Sequence, residues 1–173
     1  GAPPVPVDTP AEAGQAPFKG LAYFNEADAH LFFGRELLSA QLVRRLRDCP
    51  FLAVIGASGS GKSSVVRAGL LPALASHDPL ADGSLPPRGS AAWPVRTLVP
   101  TAHPLDALAA SLTRDAVAPD AAHVLRDELA REPGVLIRAA GRVARDAGAS
   151  RLLLVVDQFE ETFTLCDDEA ERS

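Results

Sequence analysis

Apolar positions recur at helical spacing in Glu36–Asp48, where Leu37, Leu38, Leu42, Val43 and Leu46 share one side and Arg44, Arg45 and Arg47 lie outside it. That spacing predicts an amphipathic helix, which Pro50 terminates. Residues 51–55 (Phe-Leu-Ala-Val-Ile) are wholly apolar, the pattern of a buried strand in a parallel sheet. Glycines follow at once, and a helix is predicted over 62–71, stopped by Pro72. Residues 77–92, rich in Gly, Pro and Ser, read as an exposed loop. A second strand is predicted over 94–99. Three helices follow over 104–115, 119–131 and 133–147, each opening on a proline, where the missing N–H costs nothing. Residues 151–156 turn apolar again and predict a third buried strand, running directly into Asp157. Strands alternating with helices imply an α/β layered domain with a mainly parallel sheet.

The first 17 residues break this alternation. Pro3, Pro4, Pro6, Pro10 and Pro17 stand among small residues, so this stretch is expected to be a linker rather than part of the core. Residues 18–173 are expected to form the domain. The segment over 18–35 concentrates aromatic residues in a chain with only 5% of them, which suggests packing against the domain or against a ligand. With no methionine and heavy use of Ala, Arg, Pro and Leu, the chain reads as a segment of a longer protein of high-GC bacterial composition.

Composition narrows the function classes. A net charge of −5 argues against a general nucleic-acid-binding surface, since phosphate neutralisation needs Lys and Arg in excess. Cys49 and Cys166 lack metal-ligand spacing and read as reduced thiols in a cytoplasmic protein, a disulfide between them being the alternative. His30, His77, His103 and His123 are scattered and do not suggest a metal site. No apolar run reaches the roughly 20 residues that would span a bilayer.

The local chemistry is in two places. Gly56-Ala57-Ser58-Gly59-Ser60-Gly61-Lys62-Ser63 is a full G-x-x-x-x-G-K-S, followed by Ser64. Glycine torsions let successive N–H groups turn inward to form an anion nest, and the helix that follows adds its N-terminal dipole. Lys62 is expected to reach the β- and γ-phosphates, and Ser63 to ligate Mg²⁺. In the second place, residues 152–161 (LLLVVDQFEE) end a strand in acids. Asp157 is the expected metal residue, and Glu160 and Glu161 are candidates for the general base that deprotonates an attacking water. Arg67 and Arg88 are read as solvated, and Trp93 as a packing anchor.

Taken together, PFKGLAYF...FFGRE, FLAVIGASGSGKSSVVRAGLLPAL and LLLVVDQFEETF resemble the bacterial novel STAND NTPases, signal-transduction ATPases with numerous domains. The resemblance covers about 17–166. It implies a three-layer P-loop NTPase fold, with Walker A at 56–63 and Walker B at 152–157. It places Phe33, Gly34, Arg35 and Glu36 near the adenine, and makes Glu161 the likelier base because D-Q-F-E-E resembles the D-G-x-D-E of NACHT and AP-ATPase relatives. The cofactors implied are ATP and Mg²⁺. The partners implied are a second copy in the active state and effector and sensor domains elsewhere in the full-length chain, with no membrane and no direct nucleic-acid contact by this segment. In that family further strands, a polar sensor residue and a helical lid follow the third strand, and this sequence is expected to lack them. Two functions stay open: slow ATP hydrolysis that resets a switch, and a nucleotide-gated interaction module that binds ATP or ADP without turnover.

Overall fold

In the computed structural model, residues 34–165 are described. The linker over 1–17, the aromatic segment up to Phe33, and Cys166 lie outside them. Helix α1, Glu36–Asp48, has the bounds that its periodicity predicts, and it turns Ala40, Leu42, Val43 and Leu46 into the protein. Its packing partner is the helix after the glycine loop. That helix runs through α2 (Lys62–Ser64), a π-helical stretch (Val65–Leu70) and α3 (Leu71–Ala75).

Pro72 does not stop this helix, contrary to expectation. A proline ring inside an α-helix collides with the carbonyl four residues back, and it also removes a donor. Here the turn just before it is widened: the N–H of Leu71 bonds the carbonyl of Val66, five residues back. The slip to π spacing accommodates the ring, so the helix bypasses the break rather than ending there.

Strands β1 (Val95–Leu98) and β2 (Leu153–Val156) pair in parallel, Val95 opposite Leu153 and Leu98 opposite Val156. Between them run α4 (Pro104–Leu112), α5 (Ala121–Arg131) and α6 (Val135–Asp146), and after β2 comes the short α7 (Glu161–Thr164). A helical crossover is what two parallel strands require. The architecture is therefore α/β with a two-stranded parallel sheet among the described residues.

The expected strand over 51–55 is not a strand. An apolar run supplies side chains to bury but no ladder partner, and β1 and β2 satisfy each other while no third strand comes alongside among the described residues. Alternate residues face inward instead: Leu52 packs on the core whereas Phe51 is 76% and Ile55 92% exposed. For the same reason β2 is half-buried rather than buried, with Val156 40% exposed.

Two apolar clusters make the core. One joins Leu42, Val43 and Leu46 of α1 to Val65, Leu70 and Leu74, with Trp93 and Leu153 against it. The other joins Ala109 and Leu112 of α4, Leu125 and Leu129 of α5, and Val135 and Ala139 of α6, with Leu152 against it. The adjacent residues Leu152 and Leu153 thus serve opposite clusters, as successive residues of an extended chain do. The first cluster holds the helix that begins at Lys62 against α1, with Leu153 at the start of β2 packed on the same side chains.

Candidate functional site

The loop over 56–61 is built around three glycines with different needs. Gly59 and Gly61 sit at φ +74° and +87°, a left-handed region that side chains resist. Gly56 has no such torsion, but a Cβ there would stand 2.8 Å from the Ser60 hydroxyl oxygen. The loop closes a turn through the N–H of Ser60 on the carbonyl of Ala57, and the N–H of Val65 on Gly61 starts the helix. The first-turn N–H groups of Lys62 and Ser63 therefore have no intrahelical acceptor, as at any helix start. Ala57, Ser58, Gly59 and Ser60 are exposed, whereas Ser64 is buried. Lys62 lies back over the loop, donating to the carbonyls of Gly56 (3.0 Å) and Ala57 (3.2 Å).

At the tip of β2, Asp157 continues the ladder with its N–H on the carbonyl of Leu98. Its carboxylate meets the glycine-loop helix across 94 positions of sequence: Ser63 Oγ donates to Oδ1 at 2.7 Å. Gln158 donates its N–H to the same oxygen at 3.1 Å. Oδ2 is taken by Arg67, whose Nε and Nη2 donate at 3.2 and 2.9 Å. Arg67 is thus not a solvated residue, as its sequence context alone suggests, but half of an ion pair whose side chains are 23% and 11% exposed. The signal that could have found it is the spacing Ser63 to Arg67, i to i+4, which puts both donors on one helix face.

Gln158 adopts φ +53°, a left-handed torsion unusual for a residue with a side chain. It turns the chain sharply after Asp157 and into α7. Glu160 and Glu161 open that helix, Glu160 exposed and Glu161 half-buried. Neither carboxylate forms a hydrogen bond or ion pair among the described residues, so the structure does not join them to Lys62, Ser63 and Asp157. Gly34 and Arg35 stand exposed at the start of α1. The N–H of Gly34 bonds the Glu36 carboxylate at 3.0 Å, and the backbone donors of Glu36 and Gly34 hold that carboxyl below the usual range. No hydrogen bond links Gly34 or Arg35 to the loop over 56–61 among the described residues, and Phe33 lies outside them.

The residues fit a hard divalent cation. A hydroxyl and a carboxylate oxygen 2.7 Å apart are the donor types that Mg²⁺ selects. No cluster of three or more His, Cys, Asp or Glu is present among the described residues. No helix among the described residues is long and apolar enough to cross a membrane.

No curated protein and no solved structure matches the chain. A family model does, over residues 17–173, spanning the glycine loop, the Ser63–Asp157 junction and the strand pair, and the chain belongs to that family, Novel STAND NTPase 1.

Proposed function

We propose that the chain is the nucleotide-binding part of a STAND-type switch, holding ATP with Mg²⁺ at 56–63 and hydrolysing it slowly to reset a signalling state. The observation that carries this reading is the bond from Ser63 Oγ to Asp157 Oδ1 at 2.7 Å. It brings the last residue of a G-x-x-x-x-G-K-S to the first acid after a strand. Leu152 and Leu153, packed on opposite clusters, support helices on both sides of the sheet, as in a three-layer P-loop fold.

In this reading Gly59, Gly61 and the N–H groups of Lys62 and Ser63 cradle the phosphates, while Ala57, Ser58, Ser60 and Ser64 complete the loop. Lys62 exchanges the carbonyls of Gly56 and Ala57 for phosphate oxygens. Mg²⁺, held by Ser63 and Asp157, supplies charge that offsets what develops on the phosphates. Glu161, with Glu160 beside it, accepts the proton of a water whose oxygen bonds the γ-phosphorus as the bridge to ADP breaks. Phe33, Gly34 and Arg35 meet the base. The switch works by self-association and by coupling to effector and sensor domains of the full-length protein, in the cytoplasm.

The freedom of both glutamates from the Lys62–Ser63–Asp157 cluster favours a second reading, a nucleotide-gated interaction module without turnover. Glu161→Gln separates the two. If the chain is an enzyme, phosphate release falls about 100-fold or more while nucleotide binding is retained. A native rate at background that the variant leaves unchanged assigns the module.

A further inference from the structure

Asp157 is held by four donors. Three of them, the Ser63 hydroxyl and two N–H groups of the Arg67 guanidinium, come from one face of the glycine-loop helix. They divide the carboxylate between them: Ser63 takes Oδ1, and Arg67 takes Oδ2 with two N–H groups. An aspartate fixed at one oxygen can rotate about its terminal bond and exchange the two. Fixed at both, it can rotate only by breaking the hydroxyl bond and the ion pair together. A lysine would bring charge without the paired, directional N–H groups that hold the plane. The pair is only partly exposed, 23% for Arg67 and 11% for Asp157, so water competes weakly for the carboxylate. Arg67 also sits inside the π-helical stretch Val65–Leu70, a distortion that recurs at functional sites.

We infer that Arg67 is a positioning residue for the metal. By pinning Oδ2 it presents Oδ1, next to the Ser63 hydroxyl, to the cation that accompanies the nucleotide. This rests on the nucleotide reading given above. In this role Arg67 acts through Asp157, to which its Nε and Nη2 donate. Its loss therefore weakens the part of nucleotide affinity that depends on Mg²⁺ and spares the part that depends on the loop.

The test is a fluorescent-ATP titration of the native chain, Arg67→Ala and Arg67→Lys, each with Mg²⁺ and with EDTA. The readout is the ratio of the two affinities. A merely structural role would lower both affinities together and leave the ratio in place. Arg67→Ala is expected to lower the ratio about tenfold, as loss of a group that orients a metal ligand does, with affinity in EDTA near native. Arg67→Lys is expected to fall between. A cooperative urea transition shows each variant folded, and if Arg67→Ala does not fold, the intermediate ratio of Arg67→Lys carries the test. Ratios equal to native in the folded variants, or a higher ratio, would overturn the role of Arg67 while leaving the nucleotide site standing. Failure of the folded native chain to bind would overturn both.

Discussion

Leu74→Ala tests the packing that aims the glycine-loop helix at Asp157. Leu74 is 3% exposed and sits in the cluster that joins α1 to this helix, together with Leu42, Val43, Leu46, Val65 and Leu70. The substitution removes three buried carbons, about 2.4 kcal/mol of transfer free energy at about 0.8 kcal/mol each. A cavity term adds to this wherever the neighbours cannot collapse, and here they are held by two helices. The expected loss is about 2.5–4 kcal/mol, a large share of a typical total of about 5–15. In a chain of this size each kcal/mol moves Tm by about 2–4 °C, so the midpoint should fall by roughly 5–16 °C. Urea unfolding followed by tryptophan fluorescence is well suited, because Trp93 packs on this same cluster with the Arg151 guanidinium 5.4 Å from its ring centre. Ile137→Ala is the control, since Ile137 is 79% exposed and should cost little. A Leu74→Ala loss below about 1 kcal/mol, or one no greater than that of the control, would refute the claim that this cluster fixes the helix.

Two further predictions concern the loop and the acid limb of stability. Gly61→Ala meets open space but a φ of +87°, and should carry about 1–2 kcal/mol of strain. Gly56→Ala crowds the Ser60 hydroxyl, which can swing aside, and meets Ser60 Cβ and Lys62 Cδ at ordinary contact distance, so urea midpoints should rank Gly56→Ala above Gly61→Ala, and the reverse order would show that the loop does not hold these torsions. The Arg138 guanidinium holds the Glu132 carboxyl below its usual range through hydrogen bonds at 2.9 and 3.2 Å. A depressed carboxyl contributes stability above its unfolded value of about 4.3 and loses it as pH falls through the folded value. Glu132→Gln should therefore narrow the stability difference between pH 7 and pH 3 by a small, salt-sensitive amount, and an unchanged difference would mean that this exposed pair contributes nothing.

Periodicity proved sufficient where burial is one-sided and local. The stripe of Leu42, Val43 and Leu46 set the bounds of α1, and the four residues Val95–Leu98 fall within the strand predicted over 94–99. It failed where the outcome depends on a neighbour. The run over 51–55 has the side chains of a buried strand, but pairing is a property of two segments, and the pattern of one cannot supply the other. Pro72 signals a clash only if the turn before it keeps α spacing, and the π slip at Val65–Leu70 leaves no mark in hydropathy. In the site, the spacing and residue types of 56–63 announced the loop and Asp157 announced the strand tip. Arg67 stands one helical turn beyond Ser63, a relation that residue spacing carries and hydropathy does not. Gln158 stands where the D-G-x-D-E pattern has glycine, and its φ of +53° shows why a glycine suits that position.

If 56–63 is a working phosphate cradle, nucleotide affinity depends on Lys62, and a titration of the chain with fluorescent ATP and Mg²⁺, native against Lys62→Ala, reads that dependence. Lys62 lies over the loop with its ammonium on the carbonyls of Gly56 and Ala57, and the proposed function has it exchange them for phosphate. Saturable binding that weakens at least about tenfold in the variant, a loss of about 1.4 kcal/mol, is the predicted result. Equal affinity in the two proteins, or no binding by a native chain that unfolds cooperatively in urea, would contradict it.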